Sequence, residues 1–184
     1  MTARTADTDL SASATPRRLP PGGIAALVVL AGSVALLLGA VFFEHVLKIP
    51  PCPLCFEQRI PHYIAVPLAL ALVLAARFRA PRGLVALGLA VLTVALLVTA
   101  GIGGYHAGVE WGLWAGPTDC TGDIGDFGRA GNLLDSLQTT TVVRCDVVLW
   151  RFLGLSLAGW NAVLSTGLAL VAGAGFVATV RRSA

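Results

Sequence analysis

The sequence predicts an all-α membrane protein: a bundle of four transmembrane helices with one long loop between the third and the fourth. Three observations predict it. The 184 residues are 56% hydrophobic and only 12% charged, with a mean hydropathy of +0.80, where ordinary globular chains carry about 25% charged residues. The charges cluster and leave four apolar tracts of spanning length. Little remains for a separate soluble unit, so one membrane domain over about residues 22–182 is the economical organisation. The formal charge of +3 comes from basic residues at the edges of these tracts, a pattern of lipid boundaries that gives no reason to expect a nucleic-acid partner.

Residues 1–21 are polar, small and Pro-containing, and end in Arg17, Arg18, Pro20 and Pro21; they read as a disordered tail. The first span, about 24–43, carries no charge and is long enough to cross about 30 Å of hydrocarbon. It exceeds the apolar core of a cleaved signal peptide, usually about 7–15 residues. Glu44, His45 and Lys48 mark a polar boundary before Cys52-Pro-Leu-Cys55. The second span, about 60–76, contains Pro61, expected in the first helical turn, and Pro67, expected to kink the helix. Arg77, Arg79 and Arg82 form a basic turn, and the third span follows over about 84–104. A polar loop over about 105–155 holds Cys120 and Cys145, and the fourth span covers about 156–180. Within the loop, Asn132 to Leu137 suits an amphipathic turn, lying on the membrane or packing on the bundle with equal claim. Trp111, Trp114, Trp150 and Trp160 take the interfacial positions that indole rings favour.

Orientation follows from charge. Arg4, Arg17, Arg18, Arg77, Arg79, Arg82, Arg181 and Arg182 fall on one side of the four-span arrangement, and Lys48, Arg59, Arg129, Arg144 and Arg151 on the other. The positive-inside rule puts both termini in the cytoplasm. All four cysteines then face the opposite, oxidising side, where disulfides persist.

Two cysteines with two residues between them, just before the second span, suit redox chemistry: if the helix begins near Leu54 or Cys55, its N-terminal N–H groups and dipole favour a thiolate there. The even number of cysteines allows two disulfides in three connectivities. A structural staple fits poorly, because so short a loop removes little chain entropy. A metal site made with Cys120 and Cys145, or with His45, His62 and His106, lacks the two close-spaced pairs usual for zinc. Thiol–disulfide exchange between the two pairs is favoured; a membrane scaffold using its cysteines as staples or ligands is the alternative. The electrons need an acceptor, and no haem, flavin or iron–sulfur pattern occurs. A lipid-soluble quinone fits a thiol pair at the membrane rim. Arg59, one turn beyond Cys55, suits charge developing on a quinone oxygen, and equally suits interfacial snorkelling, alone or paired with Glu57. His106 at the outer end of the third span is a second candidate for the quinone site, although a lone interfacial His is more often a polar anchor.

Cys52-Pro-Leu-Cys55-Phe-Glu-Gln-Arg59 resembles the C-x-L-C-x-x-[EQ]-R motif of the DsbB family of disulfide bond formation proteins. The likeness continues through Tyr105 to Pro117, Cys120, Arg144-Cys-Asp146 and Phe152 to Asn161, and covers about residues 24–180. The resemblance implies a four-helix enzyme of the bacterial inner membrane, its long loop periplasmic, that reoxidises a DsbA-like periplasmic thiol oxidase and passes electrons to the membrane quinone pool. It implies a Cys120–Cys145 disulfide attacked through Cys120, exchange of Cys145 with Cys52, and a Cys55 thiolate facing ubiquinone or menaquinone beside Arg59, with His106 near. The Cys120–Cys145 interval varies within that family, so the partner is not read from it. The related vitamin K epoxide reductase family places its loop cysteines before the Cys-x-x-Cys span, the reverse of the order found here.

Overall fold

The computed structural model describes residues 19–117 and 144–181. Four long helices dominate: α1 (Pro21–His45), α2 (Pro53–Arg77), α3 (Arg82–Glu110) and α4 (Leu157–Arg181). A 25-residue helix is about 37 Å long, more than the bilayer's hydrocarbon needs. All four are long and apolar enough to cross a membrane. A hairpin of two-residue strands, β1 (Arg151–Phe152) and β2 (Leu155–Ser156), precedes α4. Leu153 and Gly154 between them both have positive φ, 51° and 84°, as a tight two-residue turn of primed type requires.

The helix ends explain themselves locally. Pro21 and Pro53 occupy the first turns of α1 and α2, where a missing N–H costs nothing. At the end of α3, Gly112 takes φ +72°, its N–H bonds Val109 O at 3.0 Å, and Leu113 N–H bonds Gly108 O at 2.9 Å. That is a Schellman cap. It carries α3 six residues past the expected end at 104. α2 likewise begins seven residues before 60, so Pro61 lies inside the helix with Pro67 and not in its first turn. Apolar runs end at the first polar residue; helices end where their last backbone groups find other partners.

α1 packs on α2 and α4, and α3 on the same two, so α1 and α3 form a diagonal of a four-helix bundle. Large apolar side chains such as Leu38, Phe42, Leu87, Val94 and Leu170 point outward, the reverse of a water-soluble bundle and the expected face toward lipid. With lipid outside, association rests on close packing and internal polar contacts. One end of the bundle is apolar, with Val29, Ala69, Leu89, Leu92 and Ala172 at its centre; there Gly175 faces the methyl of Ala25, and any side chain on it would clash. Toward the other end the interior turns polar, through Ser33, His62, Thr99 and Ser165, all buried. It finishes in a small cluster of Cys52, Leu54, Val109 and Cys145 with Cys55 against it. That polar end holds the site.

Candidate active site

Cys52 is the N-cap residue of α2: its carbonyl accepts hydrogen bonds from Cys55 N–H at 3.0 Å and Phe56 N–H at 3.3 Å. The extended backbone at Cys52 and Pro53 at the first helical position fix where the helix starts, and the α-turn brings Cys55 back over it. Cys52 Sγ and Cys55 Sγ lie 3.0 Å apart as free thiols, within reach of a disulfide by a shift of about 1 Å. Cys145 is disulfide-bonded. Its sulfur, Cys52 Sγ and a ring nitrogen of His106 all lie within 4.8 Å of one another, and all three residues are buried. A free thiol thus stands beside a disulfide sulfur 93 positions away in sequence. Three such groups are also what a metal would use, but a disulfide-bonded sulfur has no thiolate to offer a metal, and exchange chemistry describes the cluster better.

His106 is buried within α3, 3% exposed, with Nε2 at 3.6 Å from Cys52 Sγ. It is not the interfacial polar anchor that the sequence alone makes the commoner case. The hydrogen bond with the Cys55 thiol holds the Cys52 thiol well below its ordinary range; burial opposes this, and His106 adds to it. The helix N-terminus acts in the same direction.

Behind His106 runs a buried polar chain. Gln58 Nε2 donates to His106 Nδ1 at 2.9 Å and to Leu54 O at 3.2 Å. Asn161 of α4 donates from Nδ2 to Gln58 Oε1 at 2.8 Å and to Thr99 Oγ1 at 3.2 Å, while Thr99 donates to Gln58 O at 2.8 Å. Asn161 Oδ1 accepts from Ser165, whose hydroxyl meets His62 Nε2 at 3.2 Å, and His62 Nδ1 meets Ser33 at 3.3 Å. Among the described residues no buried side-chain nitrogen or oxygen lacks a partner.

On the open side, Arg59 donates to Glu44 of α1 at 2.6 Å, not to its neighbour Glu57, and lies over the Phe56 ring at 5.2 Å. A cavity of about 370 Å³ is lined by Cys52, Cys55, Arg59 and His106 among largely apolar walls from α1, α4 and residues 144–152. Glu110 lines it too, its carboxylate 3.9 Å from His106 Nε2 and bonded to Ser156. Of the six residues singled out from sequence, Cys52, Cys55, Arg59, His106 and Cys145 come together; Cys120 lies outside the described residues, as do Asn132 to Leu137. No role in the site was read from sequence for Gln58, Thr99, Asn161, Glu110 or Glu44. For the first three the available signal was polarity within a spanning helix, which rarely goes unused.

Comparison with known proteins assigns the chain to a family. The family model of the disulfide bond formation protein DsbB matches residues 23–175. The chain belongs to the DsbB family. Among similar DsbB-family proteins, each named Disulfide bond formation protein B, that of Saccharophagus degradans is 35% identical over 157 residues, covering 82% of this chain and 90% of the relative. That of Marinobacter nauticus is 35% identical over 142 residues, covering 74% and 79%. That of Methylococcus capsulatus is 36% identical over 141 residues, covering 73% and 81%. No solved structure matches this DsbB-family chain significantly.

Proposed function

We propose that the chain is a thiol–disulfide oxidoreductase of the bacterial inner membrane that reoxidises a DsbA-like periplasmic thiol oxidase and delivers the electrons to a membrane quinone. The observation that carries this reading is the disulfide-bonded Cys145 sulfur within 4.8 Å of the free Cys52 thiol. In the forward direction a partner thiolate attacks the loop disulfide at Cys120, forming a mixed disulfide and releasing Cys145 as a thiolate. Cys145 Sγ then attacks Cys52 Sγ of a Cys52–Cys55 disulfide. The Cys52–Cys145 bond forms, the Cys52–Cys55 bond breaks, and Cys55 leaves as a thiolate. The partner's second thiol completes its own disulfide by displacing Cys120, which in turn displaces Cys52 from Cys145. Two electrons now reside on Cys52 and Cys55.

The site fits a quinone. Its volume lies in the range of small-molecule sites and its walls are largely apolar. Cys55, Arg59 and His106 supply polar groups on one lining. Cys55, Arg59 and His106 would line a bound quinone, ubiquinone or menaquinone, which would supply the acceptor for the two electrons and two protons given up as the Cys52–Cys55 disulfide closes. Arg59, held by Glu44, sets a fixed cation on the cavity wall and would stabilise negative charge on a bound acceptor. Cys52, sharing its charge with the Cys55 thiol, is kept as the thiolate that closes the pair. In this reading the site end of the bundle is periplasmic and both termini are cytoplasmic.

The test uses purified full-length protein in detergent, a reduced thioredoxin-like oxidase and a soluble quinone analogue. Quinone absorbance should fall with the native chain and hold steady with Cys55→Ser. Steady absorbance with both, across several reduced partners, would overturn the reading.

A further inference from the structure

His106 meets Cys52 through one ring nitrogen and Gln58 through the other, so what it gives Cys52 depends on which nitrogen carries the proton. The hydrogen bonds decide that. Leu54 O and Gln58 O are backbone carbonyls and only accept. The Gln58 side-chain atom at 3.2 Å from Leu54 O is therefore its NH₂, and the same NH₂ faces His106 Nδ1 at 2.9 Å. Turned over, the Gln58 amide would set oxygen against carbonyl oxygen. Thr99 spends its hydroxyl hydrogen on Gln58 O, so its oxygen accepts from Asn161, and the Asn161 NH₂ is thereby fixed to face Gln58 Oε1 as well. The donors in the chain trace back to two backbone carbonyls, Leu54 O and Gln58 O, that have no proton to give. The last link, Nδ1, receives a hydrogen and so carries none, which leaves the ring proton on Nε2, the nitrogen 3.6 Å from Cys52 Sγ.

We propose that Gln58, oriented by Asn161 and Thr99, is a positioning residue that holds neutral His106 as its Nε2–H tautomer and aims that hydrogen at Cys52 Sγ. This rests on Cys52 being the exchanging thiol. It makes His106 a fixed neutral donor to the Cys52 thiolate, so that the reactivity of Cys52 does not depend on protonation of the ring. The other groups around the pair are compatible. Cys55 of α2 faces Cys52, and Glu110 of α3 faces Nε2 at 3.9 Å. Cys145 brings its backbone against His106 and its bonded sulfur near Cys52. Arg59 with Glu44, and Arg144, lie on the cavity wall, and α4 contributes only the neutral Asn161. The two acceptors placed beside Nε2, the Cys52 thiolate and the Glu110 carboxylate, call for a hydrogen there, and the Cys145 backbone adds an acceptor against the ring. On Nδ1 the NH₂ of Gln58 calls for none. Packing holds the clamp in place: a methyl on Gly103 would stand 3.2 Å from Gln58 Oε1 and 3.0 Å from Ala158 O.

Two measurements test it. In the native reduced chain with isotope-labelled histidine, the His106 nitrogen spectrum, assigned by loss of its signals in His106→Gln, should show a bare Nδ1 and a protonated Nε2 at neutral pH. A protonated Nδ1 would overturn the proposal, and this readout needs no variant of Gln58. Pulse alkylation of full-length protein across pH, with the Cys52 peptide quantified, supplies the second. The native chain should show one inflection. Gln58→Met, which keeps the shape and lacks the NH₂, should move it up by about one pH unit, a fall of about tenfold in reactive thiolate below the inflection. Gln58→Glu puts a carboxylate against Nδ1 and should add a second inflection as the ring sheds its Nε2 proton. Identical profiles for all three would contradict the clamp. Neither readout needs quinone or partner, so the clamp and the electron path fail or stand separately.

Discussion

Cys52 is the most constrained residue of the site: it caps a helix, contacts Cys55 and His106, and lies beside a disulfide sulfur. Its thiol is held below the ordinary range, which has a definite sign. The thiolate persists as pH falls below the usual thiol range and is lost only on passing the lowered value, so alkylation of Cys52 should continue at mildly acidic pH, where an ordinary cysteine has stopped reacting. Mass-mapped alkylation of the reduced protein checks this; a Cys52 profile matching a free thiol would refute it. Arg59 is tied to Glu44 across α1 and α2. Arg59→Met should raise the KM for a quinone analogue by about tenfold, the scale of one lost hydrogen bond to a charged group, and leave Cys52 alkylation unchanged. A change in both would mean that Arg59 holds the helix pair and not the acceptor. The cysteines and Arg59 were legible because spacing on one helix turn fixes their relation. Glu44 read only as a boundary charge, and Gln58 only as a position of the family motif, because their partners come from other helices.

At the scale of elements, the four spans were visible as apolar runs, and their ends were not. Cys52 as N-cap of α2 and Gly112 as the turn beyond α3 set two of those ends, and the second carries His106 past the expected end of its span into a buried helix face. Hydropathy cannot locate such caps, because they depend on backbone groups finding partners. The hairpin at Arg151–Ser156 was missed for a related reason: Leu153 takes a left-handed turn conformation that its residue type does not advertise. α3 and α4 meet closely at Gly103, where a methyl would lie 3.0 Å from Ala158 O and 3.1 Å from Ala162 N. Gly103→Ala should therefore destabilise the bundle by about 1–3 kcal/mol, the usual cost of overpacking, read as a lower Tm in detergent. An unchanged Tm would show that the two helices part without cost.

For the molecule as a whole, the bundle gathers the thiols, the His106 imidazole and the Arg59 guanidinium around the interior of one end and leaves the interior of the other apolar. The sidedness proposed from the basic residues predicts that a membrane-impermeant maleimide labels the reduced cysteines in right-side-out vesicles, and that a protease removes a C-terminal tag only in inside-out ones. The opposite pattern would invert the topology. Membrane class was legible from composition alone. The approach of Cys145 to Cys52 was not, since nothing local in either segment records the other; the residues favoured exchange between the two pairs, and only the likeness to a family matched Cys145 with Cys52.

That approach is also the centre of the account, and its most direct test is a trap. In full-length Cys55→Ser/Cys120→Ser, only Cys52 and Cys145 remain, and mild oxidation followed by non-reducing mass mapping reads their bond. A Cys52–Cys145 disulfide formed within one chain, at high yield, is the predicted result. Two thiols that stay free, or that pair only between chains, would contradict exchange between the two cysteine pairs and the electron path built on it.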